Sequence, residues 1–87
     1  MKTLTVFTAT WCAPCKAISP ILDTLAIPVR RVDIEDRPTL AALYGIRSIP
    51  AFVLCEGDQI IANKTGIKTL AELQEFIAQT APSAQPA

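Results

Sequence analysis

The sequence predicts a single α/β domain with the element order β-α-β-α-β-β-α. Three observations carry that prediction. A strand-like run, Leu4 to Thr8, leads into a segment of helical composition ending near Ala26, and a second strand candidate starts at Pro28, with Val29, Val32 and Ile34 supplying its apolar content. Strand, helix and strand at this spacing make a right-handed parallel unit. Further on, Ala51 to Cys55 and Gln59 to Lys64 flank the turn-forming Glu56-Gly57-Asp58 and read as a hairpin. Finally, Thr69-Leu70-Ala71-Glu72 matches a capping box and opens a last helix.

The first strand spans about residues 3 to 8. Both of its faces are apolar or threonine, so a central place in the sheet is expected. The helix that follows runs from about 14 to 26. Pro14 is tolerated in its first turn, where the missing N–H has no intrahelical partner. Pro20 lies inside it and should kink it, because the ring removes a hydrogen bond and meets the carbonyl of Lys16. The second strand starts at Pro28 and runs through Asp33. Asp36 is expected to cap a short helix from about 37 to 44, with Pro38 in its first turn and Gly45 ending it in a left-handed conformation. Ser48-Ile49-Pro50 is a loop before the hairpin, and Gly66 breaks the chain after it. The last helix reaches about Gln79 and presents Leu70, Leu73, Phe76 and Ile77 as one apolar stripe. Residues 1 to 79 form the domain. The tail, 80 to 87, is Ala, Pro, Ser and Gln with a threonine and no periodicity, and disorder is expected there.

Composition narrows the function classes. A 51% apolar chain of 87 residues suffices for one modest core. Eight basic and eight acidic residues cancel, so no basic footprint invites nucleic acid or anionic lipid. No apolar run approaches the roughly 20 residues of a membrane span. Lys2 followed by Leu4 to Phe7 faintly suggests a signal peptide, but the run is short and broken by threonines. Three cysteines without an export signal point to the reducing cytoplasm, where a Cys pair is catalytic or metal-binding rather than structural.

The chemistry sits in Trp11-Cys12-Ala13-Pro14-Cys15-Lys16, at the junction of the first strand and the first helix. Cys12 falls near the cap position, where free N–H groups and the positive end of the helix dipole stabilise a thiolate. Such surroundings bring a cysteine pKa from about 8.5 to about 7 or lower. Cys15 lies about one turn inside the helix, within reach of Cys12. On this reading Cys12 is the nucleophile, favoured by dipole and exposure, and Cys15 the resolving thiol. The other chemistry open to a Cys pair is structural zinc. Zinc takes four Cys or His ligands, and this chain has no His and one further cysteine, Cys55, placed mid-strand as a small core hydrophobe.

Over roughly residues 2 to 79 the chain resembles the thioredoxin family. The resemblance is carried by Trp11 to Lys16, Pro20, Asp33 to Pro38, Tyr44 to Pro50, and Gly66. It implies the minimal thioredoxin fold, a mixed four-stranded sheet with helices on both faces, without the extra N-terminal strand and helix of full-length members. It also implies a bend at Pro20 and a cis peptide bond at Ile49–Pro50, which presents the Ile49 backbone to an extended substrate. Trp11, Ala13 and Pro14 would then shield the site and touch partners, and Gly66 and Ile67 would complete an apolar docking rim. The implied activity is reduction of protein disulfides by a Cys12–Cys15 couple without a bound cofactor or metal. The implied partners are disulfide-containing proteins and an NADPH-dependent thioredoxin reductase, and the implied state is a monomer.

Two alternatives stand beside this reading. One is a glutaredoxin-like protein recharged by glutathione, favoured by chain length but not by Ala13-Pro14 or Trp11. The other is a non-enzymatic binding or zinc module on the same fold. The chain also departs from the family pattern. Thioredoxins of the usual kind carry a buried Asp six residues before the first motif cysteine, and here Val6 stands there. Arg31 occupies the place of a partner Lys, and Ala13 replaces Gly. Water must then deprotonate Cys15, with Lys16 and Arg31 as modulators of the thiolate.

Overall fold

The computed structural model describes residues 1–78. The expectations for the tail, 80 to 87, and for the final domain residue, 79, lie outside the described residues. The elements are β1 (Lys2–Thr8), α1 (Ala13–Leu22), β2 (Val29–Asp33), α2 (Pro38–Leu43), β3 (Ala51–Glu56), β4 (Gln59–Thr65) and α3 (Leu70–Ile77). They form one four-stranded sheet in the order β2-β1-β3-β4. β1 pairs parallel with β2 and antiparallel with β3, and β3 pairs antiparallel with β4. The sheet is therefore mixed, and β1 is internal, as its two apolar faces require.

Alternation along the strands divides the core into two. Leu4, Val6, Phe52, Leu54 and Ile61 pack with Ile18 and Leu22 of α1 and Leu73 and Phe76 of α3. From the opposite face, Phe7, Val32, Val53 and Cys55 pack with Ala41 of α2, and the Phe7 and Tyr44 ring centroids stand 5.3 Å apart. One sheet face thus carries α1 and α3 and the other carries α2. The β3–β4 pairing slips where Leu54 opposes Ala62 but Cys55 opposes Ile60. Ile61 is the extra residue of this bulge, and the slip lets it join the α1/α3 core.

Several boundaries differ from the sequence expectation. α1 ends at Leu22 rather than near 26. Its end tightens into Thr24 and Leu25 N–H bonds to the carbonyls three residues back, and the Thr24 hydroxyl donates to the Ile21 carbonyl as well. Asp36 does not cap α2. Asp33 organises that turn instead: its carboxylate accepts the Glu35 N–H at 2.8 Å and its carbonyl accepts those of Asp36 and Arg37. The helix therefore starts one residue late, with Arg37 at the cap and no side-chain cap bond. At the other end of α2, Gly45 adopts φ +67°, and the Gly45 and Ile46 N–H groups return to Ala42 and Ala41. That is the paired closure that a left-handed glycine permits.

In α3, Thr69 Oγ1 accepts the Glu72 N–H at 3.2 Å, and Glu72 takes the Lys68 N–H and the Thr69 hydroxyl in return. The capping box expected from the sequence is thus formed. Leu70 does not belong to the buried stripe: it is 37% exposed, while Leu73 and Phe76 are buried. It stands in the first helical position, before the helix has turned onto the sheet. At the far end Lys2 Nζ donates to the Ile77 carbonyl at 2.9 Å, a cation on a helix C-terminus that ties α3 to β1.

Candidate active site

β1 ends at Thr8, and the chain turns through Ala9 to Trp11 before α1 begins. The Cys12 N–H donates to the Ala9 carbonyl at 3.1 Å, which closes this turn and sets Cys12 as the N-cap of α1. Its backbone is extended, with φ −89° and ψ 106°, and its sulfur accepts the Cys15 N–H at 3.2 Å. The sulfur thereby takes the place of a serine or aspartate oxygen at a helix start. Three features of the sequence permit this: Pro14 needs no N–H partner, no acidic side chain lies in the first turn, and Cys15 falls where its N–H must point back at the cap.

Cys12 and Cys15 form a disulfide with Cα atoms 5.2 Å apart. The expected difference in exposure between them is absent in this oxidised form. Cys12 is 5% and Cys15 4% exposed, because Ala9, Ile34 and Ile49 close over both. What separates the two sulfurs is direction. Cys12 Sγ lies 3.9 Å from the Ile49 carbonyl, beside the loop that carries the cis Ile49–Pro50 peptide bond. Cys15 instead lines a cleft of about 160 Å³ bounded by α1, the end of β1 and β2.

The residues singled out in the sequence fall into two groups around this pair. Trp11 is 65% exposed next to Cys12, so it is no part of the core, and Ala13 and Pro14 are exposed beside it. Pro50 is buried, Ile49 is half-buried, and Ile67 lies in the α1/α3 core. Gly66 is exposed with φ +79°, a conformation that favours glycine. The second group lies on the Cys15 side. Lys16 and Arg31 both line its cleft, but the Arg31 guanidinium is engaged elsewhere: it donates to the Ser19 carbonyl at 3.2 Å and to Asp23 Oδ1 at 2.7 Å. Sequence reasoning did not include Asp23. Its separation of eight residues from Arg31 gives no helical or strand register, so only the fold brings the two together.

Val6 is fully buried, pairs with Arg31 on one side and Phe52 on the other, and sits among apolar neighbours. That position of the sheet therefore carries no carboxylate. Cys55 is buried in the α2-side core, with its thiol pKa pushed up by burial, and does not join the pair. Among the described residues no group of three or more His, Cys, Asp or Glu is placed to hold a metal, and no helix is long and apolar enough to cross a membrane.

Comparison with known proteins points the same way. The Thioredoxin family model matches residues 1–79. A thioredoxin of Buchnera aphidicola subsp. Schizaphis graminum is 39% identical over 82% of this chain and 71% of its own length. The thioredoxin of Haemophilus influenzae is 35% identical over 84% of this chain and 74% of its own. Among solved structures, Fasciola hepatica thioredoxin superposes with a TM-score of 0.81 at 27% identity, covering 87% of this chain and 77% of that one. The germline-specific thioredoxin Deadhead of Drosophila melanogaster gives 0.81 at 28% identity, covering 88% and 78%. A sulfur-capped helix closing a Cys-x-x-Cys disulfide, on this sheet and with these relatives, has one reading: the chain belongs to the thioredoxin family and is a thiol–disulfide oxidoreductase.

Proposed function

We propose that the protein reduces disulfides of substrate proteins, with Cys12 as the attacking and Cys15 as the resolving thiol. The observation that carries these roles is the cap: the Cys12 sulfur accepts an N–H at the α1 terminus and lies beside the Ile49 loop, while Cys15 lines the separate cleft between α1 and β2. A thiolate at Cys12 is stabilised by that N–H and by the helix dipole, so it forms near neutral pH. It attacks one sulfur of a substrate disulfide and expels the other, forming a mixed disulfide. The substrate backbone lies against Ile49 as an added strand, and the exposed Trp11, Ala13, Pro14 and Gly66 form the surface that receives it, while Ile67, expected at that rim, is buried beneath it in the core. Cys15 then loses its proton to water and attacks Cys12 Sγ. The substrate leaves reduced, and the Cys12–Cys15 disulfide remains.

Regeneration comes from a thioredoxin reductase that draws on NADPH, and the couple itself is the only redox group used. The protein acts as a monomer in the reducing cytoplasm, where its dithiol form is maintained. An insulin-reduction assay tests this reading. Turnover with NADPH and a thioredoxin reductase, and little with glutathione alone, is the expected outcome. Turnover driven by glutathione and not by the reductase would replace the reading with a glutaredoxin-like one.

A further inference from the structure

The cleft beside Cys15 holds an arrangement that the reaction steps above do not use. Its lining is Thr8 and Ala9 from the end of β1, Cys15, Lys16, Ser19 and Leu22 from α1, and Arg31 from β2. Two cations border it, and among the described residues no carboxylate lines it. One of the cations, Arg31, is held in place. Its guanidinium bridges from β2 to the Ser19 carbonyl and to Asp23 just past the end of α1. Asp33, the carboxylate two residues along β2 from Arg31, accepts the Glu35 N–H in the following turn. Ile34 and Ile49, which also pack against the cysteines, bring no charge, nor does Val6 in the sheet below.

We propose that Asp23 is a positioning residue for resolution. It anchors Arg31 at the mouth of the cleft through which Cys15 exchanges its proton, and partly neutralises the cation that favours the Cys15 thiolate. The inference rests on the proposed role of Cys15. In the step concerned, Cys15 Sγ–H gives its proton to water in the cleft and the thiolate attacks Cys12 Sγ. The Cys12–Cys15 bond forms, the bond from Cys12 to the substrate sulfur breaks, and the departing thiolate takes a proton from water.

An anionic sulfur next to a cation is favoured, and a carboxylate behind that cation reduces the effect. The two members of the pair therefore act with opposite signs. Loss of the guanidinium makes the thiolate harder to form. Loss of the Asp23 charge, with the side-chain oxygen kept to hold Arg31, makes it easier. A contact that served only to fasten β2 to α1 would not separate the two: removing either partner would loosen the same contact and shift both variants alike.

The test is stopped-flow kinetics of mixed-disulfide formation and resolution against pH, for wild type, Arg31→Met, Arg31→Lys and Asp23→Asn. In Arg31→Met the resolution profile should move to higher pH, with the rate at neutral pH falling about threefold to tenfold, as expected of a partly exposed charge. Arg31→Lys should restore most of the loss, and Asp23→Asn should move the profile to lower pH. Shifts of the same sign in Arg31→Met and Asp23→Asn, or profiles that coincide with wild type, would overturn the inference while leaving the cysteine roles intact. Failure to form a mixed disulfide through Cys12 in any of the proteins would instead remove the functional reading on which the inference stands.

Discussion

Replacing Val6 by aspartate puts a carboxyl group into the middle of the sheet, on the face that α1 covers. Val6 is fully buried, and its surroundings are Leu4, Ile18, Leu22, Phe52 and Leu54. Arg31 is its strand neighbour, but that guanidinium is already taken by Ser19 and Asp23. The new carboxyl therefore lacks a partner, and burial should raise its pKa by about three units from about 3.9. A shift of that size corresponds to about 4 kcal/mol between its ionised and neutral forms. Exchanging the apolar side chain costs about 1.5 kcal/mol more.

The sign of the pH effect follows. Below about pH 4 the group is neutral in both folded and unfolded chains, and only the packing loss is felt. As pH rises toward the raised folded value, the unfolded chain ionises first and stability falls, levelling off above it. The same carboxyl, once ionised, is a base on the sheet face covered by α1, the helix that carries Cys15. Resolution of the mixed disulfide should quicken above neutral pH by about tenfold. That is below the roughly hundredfold of a well-aligned base, since nothing in the apolar cluster orients the group. Urea unfolding curves from pH 4 to 8, with rapid-mixing kinetics beside them, measure both effects. Equal resolution rates for Val6→Asp and wild type across that range would show that water already serves Cys15 well enough. A stability loss that does not grow with pH would show that the Val6 site is not desolvated.

The remaining predictions concern the scaffold and the third cysteine. Phe52→Ala, which empties a fully buried position between β1 and β4, should cost about 3–5 kcal/mol in denaturant unfolding without changing the chemistry of Cys12. Thr69→Ala removes the cap of α3 and should cost about 1 kcal/mol in the same experiment. Glu72 has its pKa lowered by the Lys68 N–H, then by the Thr69 hydroxyl. Its contribution is therefore present above the ordinary value of 4.5 and lost as pH falls through and below it. Glu72→Gln should accordingly lose stability at pH 7 and converge with wild type in acid. Cys55, buried and with a raised pKa, should react with iodoacetamide far more slowly than Cys12 in the reduced protein, and at an ordinary rate once unfolded. Equal labelling rates in the folded protein would contradict its place in the α2-side core.

Features whose cause is local were legible in the sequence. The capping box at Thr69, the left-handed stop at Gly45 and the cysteine at a strand–helix junction each depend on a few adjacent residues, and all three are present. What escaped depends on the third dimension. Asp33 rather than Asp36 organises the start of α2, because a strand end presents its carboxylate and carbonyl together to the next turn. The bulge at Ile61 follows from which face the α1/α3 core needs filled. Similar burial of Cys12 and Cys15 follows from Ile34 and Ile49 closing over them from separate loops. The Arg31–Asp23 pair needed β2 laid beside α1 before it existed at all.

The central claim is that Cys12 attacks and Cys15 resolves, and the most direct measurement is to trap the intermediate. Cys15→Ser, mixed with a disulfide-containing protein such as insulin and examined by intact mass and peptide mapping, should accumulate a covalent adduct through Cys12. Cys12→Ser should give neither adduct nor turnover. An adduct carried by Cys15 in the Cys12→Ser protein, with none through Cys12 in the other, would reverse the roles and contradict the account built on the sulfur-capped helix.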